Sequence, residues 1–207
     1  MLRMNEAFPW RWFLRFCFVL ILLGAWFQAE PTIMEHPVPD YGPTPEFSLT
    51  NQNGETVTAE GLRGTLLVVG FVFTRCPSVC PSLSARMQRL QYTLERLPED
   101  DVKLLSITID PEHDTPEVLA SYAAEYGADA KRWQFLTSEP EQIKDVLSGF
   151  HVSAERIDEP DKPKDILHSE AMLLVDSDGT LIGIYQGEKE QLVELPQDIR
   201  KILYSRV

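Results

Sequence analysis

"GTLLVVGFVFTRCPSVCPSLSARMQRLQYTLERLP", residues 64–98, begins with a continuous apolar and β-branched run, passes through two cysteines with three residues between them, and ends in apolar residues at helical spacing. A strand that is apolar at nearly every position is covered on both faces, the pattern of a central strand in an α/β sheet. Pro81 suits the first turn of a helix, where its missing N–H is not needed. Leu83, Met87, Leu90 and Leu94 then recur at helical spacing until Pro98. Cys76 and Cys80 therefore fall where a central strand hands over to a helix. Ligands and chemistry collect at such places in open α/β sheets.

Working outward, "FSLTNQNGETVT" (47–58) predicts two short strands around an Asn53-Gly54 turn. "VKLLSITI" (102–109) reads as a second buried strand, followed by a helix after Thr115-Pro116 through Tyr126. A short strand at "WQFL" (133–136) precedes a helix from Pro140 to Leu147, and "AMLLVDSDGTLIGIY" (171–185) predicts a hairpin turning at Asp178-Gly179. The last stretch, to Tyr204, reads as a helix that Pro196 starts or kinks. Strands alternating with helices, then a hairpin and a helix, imply an α/β three-layer sandwich with an N-terminal strand/hairpin extension. A thioredoxin-like fold fits that order.

The chain opens differently. "PWRWFLRFCFVLILLGAWFQAE" (9–30) contains an uncharged stretch from Phe16 to Gln28, preceded by Arg3, Arg11 and Arg15 and edged by Trp10, Trp12 and Trp26. Snorkelling arginines and interfacial tryptophans allow residues 9–28 to reach the ~20 residues of a membrane span. Phe27 stands where a signal peptidase before Glu30 would want a small residue, so residues 1–29 are expected to be an uncleaved anchor helix rather than a removed signal. The positive flank places residues beyond 30 on the exported, periplasmic side of a bacterial-type inner membrane, as a single-pass protein. Prolines 31, 37, 39, 43 and 45 make residues 30–45 an extended spacer, and residues 46–207 the folded domain. Cys17 reads as a small hydrophobe within the apolar segment.

With 207 residues at 43% hydrophobic content, the chain is long enough for one domain with a substantial core. Its net charge is −13, and residues 1–30 carry +1 (three arginines against Glu6 and Glu30), so the remainder carries −14. No basic run or basic-aromatic stripe occurs, which argues against a nucleic-acid partner.

Two cysteines at this place can form a structural disulfide, a redox couple or a soft-metal clamp. A disulfide closing so small a loop adds little stability. The helix terminus and Arg75 favour a thiolate, and thiolates are both redox nucleophiles and metal ligands. Thioredoxin-like reductases use Cys-x-x-Cys, and the proline they carry before the last hairpin is absent, since none stands between Pro163 and Pro196. A peroxiredoxin would have proline and threonine where Val69 and Phe73 stand. In the place of the missing proline is His168, in "ILHSEAMLLV" (166–175). Two thiolates and an imidazole suit Cu(I), and the imidazole also suits Cu(II). Tetrahedral zinc has no obvious fourth ligand. A single histidine at a strand edge is more often an ordinary partly buried residue, so spacing alone leaves both readings open.

Three blocks together carry a resemblance to the Sco/SenC copper proteins: "FVFTRCPSVCP" (71–81), "ITIDPEHDTP" (107–116) and "HSEAMLLVDSDG" (168–179). It extends from about residue 44 to 205. The resemblance implies a thioredoxin-like domain that takes part in assembling the binuclear copper centre of cytochrome c oxidase subunit II, with copper on Cys76, Cys80 and His168. It also implies a thiol reductant, because the cysteines must be reduced to bind metal in an oxidising compartment. The alternative is a thiol–disulfide reductase in which Cys76 and Cys80 form the redox pair that prepares the cysteines of that or another exported client. Two departures stand out: His113 where the family commonly has arginine, and "KDIL" (164–167) without the acidic residue often found beside the histidine.

The other polar residues have plainer expected roles. Asp114 or Thr115 before Pro116 is an ordinary helix start, and a second reading has Asp110 and Asp114 framing the cysteine loop. His36, His113 and His151 read as surface or loop residues, and Met87 and Met172 as core filling.

Overall fold

A computed structural model describes residues 39–77, 79–152, 155–157, 165–167 and 170–205, the two short stretches 155–157 and 165–167 by their backbone. The anchor expected over residues 1–29, most of the spacer, His36 and His168 lie outside the described residues. Among the described residues no helix is long and apolar enough to cross a membrane.

The Asn53-Gly54 hairpin forms as expected, from β1 (Ser48–Asn51) and β2 (Thr56–Thr58), with Gly54 at φ 80° supplying the turn. Then come β3 (Leu66–Val72), α1 (Val79–Thr93), β4 (Val102–Thr108), α2 (Pro116–Glu125), β5 (Trp133–Thr137) and α3 (Pro140–Gly149). The hairpin β8 (Met172–Val175) and β9 (Leu181–Tyr185) leads into α4 (Leu195–Ser205). Between α3 and β8 lies a two-stranded ribbon, β6 (Glu155–Ile157) against β7 (Asp165–Leu167), which the sequence pattern did not announce.

Seven strands make one sheet in the order β2-β1-β5-β4-β3-β8-β9. The strands β3, β4 and β5 run parallel, with Leu66 opposite Val102 and Val72 opposite Thr108, and β8 is antiparallel to β3. All seven residues of β3 are buried because both faces are covered. A Cβ on Gly70 would meet Leu83 and Met87 of α1, whereas its neighbour Phe71, pointing the opposite way, stacks edge-on against Phe150 just past α3. The α2 helix shares the α1 face, where Tyr122 and Ser84 hydroxyls bond at 3.0 Å. The result is helix, sheet, helix.

Three local outcomes follow from side-chain chemistry. Residues 41–44, within the stretch expected to be spacer, run along the sheet edge: Tyr41 N–H donates to Leu181 O and Thr44 N–H to Gly179 O. Pro45 then lies so near Gly149 that a Cβ there would sit 2.4 Å from the proline ring. Near the end of the chain, a π-helical turn over Glu190–Glu194 runs directly into α4, so Pro196 sits where the wider ladder meets α-geometry.

Candidate functional site

β3 ends at Val72 and α1 starts at Val79, two residues ahead of Pro81, which occupies the first turn as its chemistry favours. The intervening chain turns at once: Cys76 N–H donates to Phe73 O at 3.2 Å, so Thr74 and Arg75 are the central residues of a tight turn. Phe73 N–H in turn points at Cys80 Sγ (3.5 Å), and Cys80 N–H at Cys76 Sγ (3.4 Å). These three bonds close a ring through Phe73, Cys76 and Cys80. Cys80 belongs to the first turn of α1, whose N–H groups have no partner within the helix, so the Cys76 sulfur acts as a cap.

Both cysteines are thiols, in hydrogen-bond contact with each other, and both are buried, Cys80 completely. Burial pushes the Cys80 thiol far above its ordinary value. The Phe73 N–H opposes this, while the contact with Cys76 and the negative charge of Asp114 add to it. The expectation that a helix terminus favours the thiolate therefore does not hold for Cys80 in the metal-free protein, because desolvation is the larger effect.

The second block packs directly against this turn. Asp110 and Asp114 are buried on the loop after β4. Arg75, expected to lend its charge to the sulfurs, is instead ion-paired with Asp110. Asp114 Oδ2 accepts Thr74 N–H at 3.1 Å and the Thr108 hydroxyl at 2.6 Å, and its Oδ1 accepts the Thr74 hydroxyl. His113 Nδ1 lies 3.0 Å from the same Oδ1, so this histidine has a specific partner. The helix cap belongs to Thr115, whose hydroxyl accepts Val118 N–H. Of the two candidates for the helix start, only Thr115 caps; Asp114 grips the cysteine turn. Thr74 and Thr108 were not singled out from sequence; the signal available was a polar alternation, Ser106 and Thr108, inside an otherwise apolar buried strand.

Met87 and Met172 are fully buried core residues and His151 is exposed. Among the described residues no three of His, Cys, Asp and Glu are grouped to hold a metal. The structure thus unites Cys76 and Cys80, whereas His168 lies outside the described residues. The described chain resumes at Glu170, whose carbonyl accepts the Gln191 side-chain amide at 2.8 Å and whose carboxylate approaches Arg86 of α1 at 3.7 Å.

Comparison with known proteins is consistent across sequence and fold. The SCO1/SenC family model matches residues 40–204. A SCO1 protein homolog of Bacillus subtilis is 33% identical over 143 residues, covering 68% of this chain and 72% of its own. The solved structure of Bradyrhizobium japonicum ScoI with copper bound superposes with a TM-score of 0.68 at 26% identity, over 77% of this chain and 99% of that one. BsSco, described as a member of the Sco family of cytochrome c oxidase assembly proteins in which a disulfide switch was identified, superposes with a TM-score of 0.65 at 28% identity, over 79% and 95%.

Proposed function

This chain belongs to the SCO1/SenC family, and on that premise we propose that it is a copper chaperone that carries copper on Cys76, Cys80 and His168 and passes it to cytochrome c oxidase subunit II. The observation that carries the proposal is the ring at the end of β3, in which two thiols touch and each sulfur accepts one backbone N–H. Two adjacent sulfurs are a soft set that suits Cu(I), and each N–H favours the thiolate once a metal replaces its proton. Copper here is cargo. A site at a strand-to-helix turn, near the surface through exposed Arg75 and Pro77, suits ligand exchange with a client.

Two further features belong to the same proposal. His168 supplies the third donor; its segment enters β8, which pairs with β3 through Leu173 opposite Val69. Residues 1–29 anchor the chain in a bacterial-type inner membrane, with residues 46–207 on the exported side. A thiol reductant keeps the pair reduced there.

A second reading is favoured by the same contact between the two thiols: a thiol–disulfide reductase acting on exported cysteines, with Cys76 and Cys80 cycling through a disulfide. The two readings separate in one experiment. Cu(I) competition against a strong chelator, run beside disulfide exchange on a dithiol peptide, should show that His168→Ala weakens copper by about 10-fold or more while exchange changes little. Loss of exchange with copper affinity intact would favour the reductase, and a reduced wild-type chain that takes up no Cu(I) would end the copper reading.

A further inference from the structure

Asp114 is completely buried, and burying a carboxylate is costly unless its oxygens are satisfied. Its four partners come from three places: Thr74 twice from the cysteine turn, Thr108 from the end of β4, and His113 from its own loop. A carboxylate has about four acceptor positions, so the set is full. None of these bonds is needed to start α2, because Thr115 caps it. What the buried charge secures lies across the fold, at the turn that carries Cys76.

We propose that Asp114 is the positioning residue of the cysteine pair: by gripping Thr74 through both its N–H and its hydroxyl, it sets the turn from which the Phe73–Cys76–Cys80 ring is built. Thr74 is one of the two central residues of that turn, and the other, Arg75, is tied to Asp110. Both central residues are thus fixed from outside by a loop some forty residues away in sequence. Two of the ring's three bonds end on sulfur, a weak acceptor, so the ring gains from being held from outside. An asparagine at 114 is neutral and keeps one acceptor oxygen, so the charge-assisted grip on Thr74 is lost and the partners that face the amide NH2 must accept where they had donated. The turn then loosens, and Cys80 gains access to solvent.

The inference rests on the reading that Cys76 and Cys80 are the working pair, and its test separates the two. On the full chain, metal-free and reduced, iodoacetamide labelling of each cysteine is followed by peptide mass spectrometry, and Cu(I) affinity is measured by chelator competition. Asp114→Asn should label Cys80 at least about tenfold faster and weaken Cu(I) by about 10- to 100-fold, the scale found when partners of metal ligands are removed. Thr74→Val, which removes one of the two bonds to the turn, should move both in the same direction by less. Thr108→Val removes a donor to the same carboxylate and the acceptor of Asp110 N–H but leaves both bonds to Thr74, so it should lower the melting temperature while changing Cys80 labelling less than Asp114→Asn does. Unchanged labelling and affinity in folded Asp114→Asn would overturn the proposal, as would a Thr108→Val effect on labelling equal to that of Asp114→Asn. If Asp114→Asn does not fold, Thr74→Val decides on the same readouts. If the wild-type chain binds no Cu(I), the copper reading fails, and labelling alone still decides the role of Asp114.

Discussion

The backbone N–H of Cys80 donates to Cys76 Sγ at 3.4 Å, while Cys80's own sulfur is sealed in the core and faces the Phe73 N–H. The two thiols are therefore unequal, and the inequality has a pH signature. Burial raises the Cys80 thiol above the 9.0 it would show in the open. Above that value the unfolded chain loses a proton that the folded one keeps, so stability is fully present below about pH 9 and falls as pH rises. Burial raises Tyr122 and Tyr185 in the same sense, steepening the fall above pH 10. The urea midpoint of the metal-free, reduced chain should drop between about pH 9 and 10, and Cys80→Ala should flatten that drop. An equal slope in both proteins would show that Cys80 is not held protonated.

Colour should report the ligands. Under the copper reading, a Cu(II) complex with thiolate sulfur carries strong sulfur-to-copper charge-transfer absorption, whereas Cu(I), with a full d shell, lacks it. Cys76→Ser or Cys80→Ser should abolish or greatly alter the band. A wild-type Cu(II) complex showing only weak d–d absorption, unchanged in both serine variants, would remove the cysteines from the metal.

The edge segment gives a contrast between two glycines. Gly149→Ala puts a methyl 2.4 Å from the Pro45 ring, so it should cost about 1–3 kcal/mol as overpacking. At Gly70 the nearest atoms, Leu83 Cδ2 at 3.6 Å and Met87 Cε at 3.7 Å, are in ordinary contact range, so Gly70→Ala should be neutral or stabilising by up to about 1 kcal/mol. Denaturant unfolding checks both, and the reverse order would refute the packing at Pro45.

Thr115→Ala removes the cap of α2 and should cost about 1 kcal/mol of stability. Because Asp114 keeps its hold on Thr74, Cys80 labelling by iodoacetamide should stay at the wild-type rate. A rise in labelling would mean that the helix start and the cysteine turn are a single unit.

Much of this molecule was legible from local pattern. Residues 64–98 declare a two-faced strand and a helix by apolar run, helical spacing and proline position, and Asn53-Gly54 declares its turn, because backbone conformation at these places is governed by near neighbours. The cysteine pair could be placed at a strand end for the same reason. What the cysteines face was decided elsewhere. Arg75 could have served the sulfurs and is paired with Asp110, and Asp114 could have capped α2 and instead holds Thr74, forty residues away in sequence. Buried polar side chains take whichever partners packing brings within about 3 Å, and that depends on how β3 and β4 align, Val72 opposite Thr108, rather than on spacing along the chain. Likewise the desolvation that keeps Cys80 protonated belongs to the assembled layers, since one strand and one helix alone cannot exclude water from a sulfur.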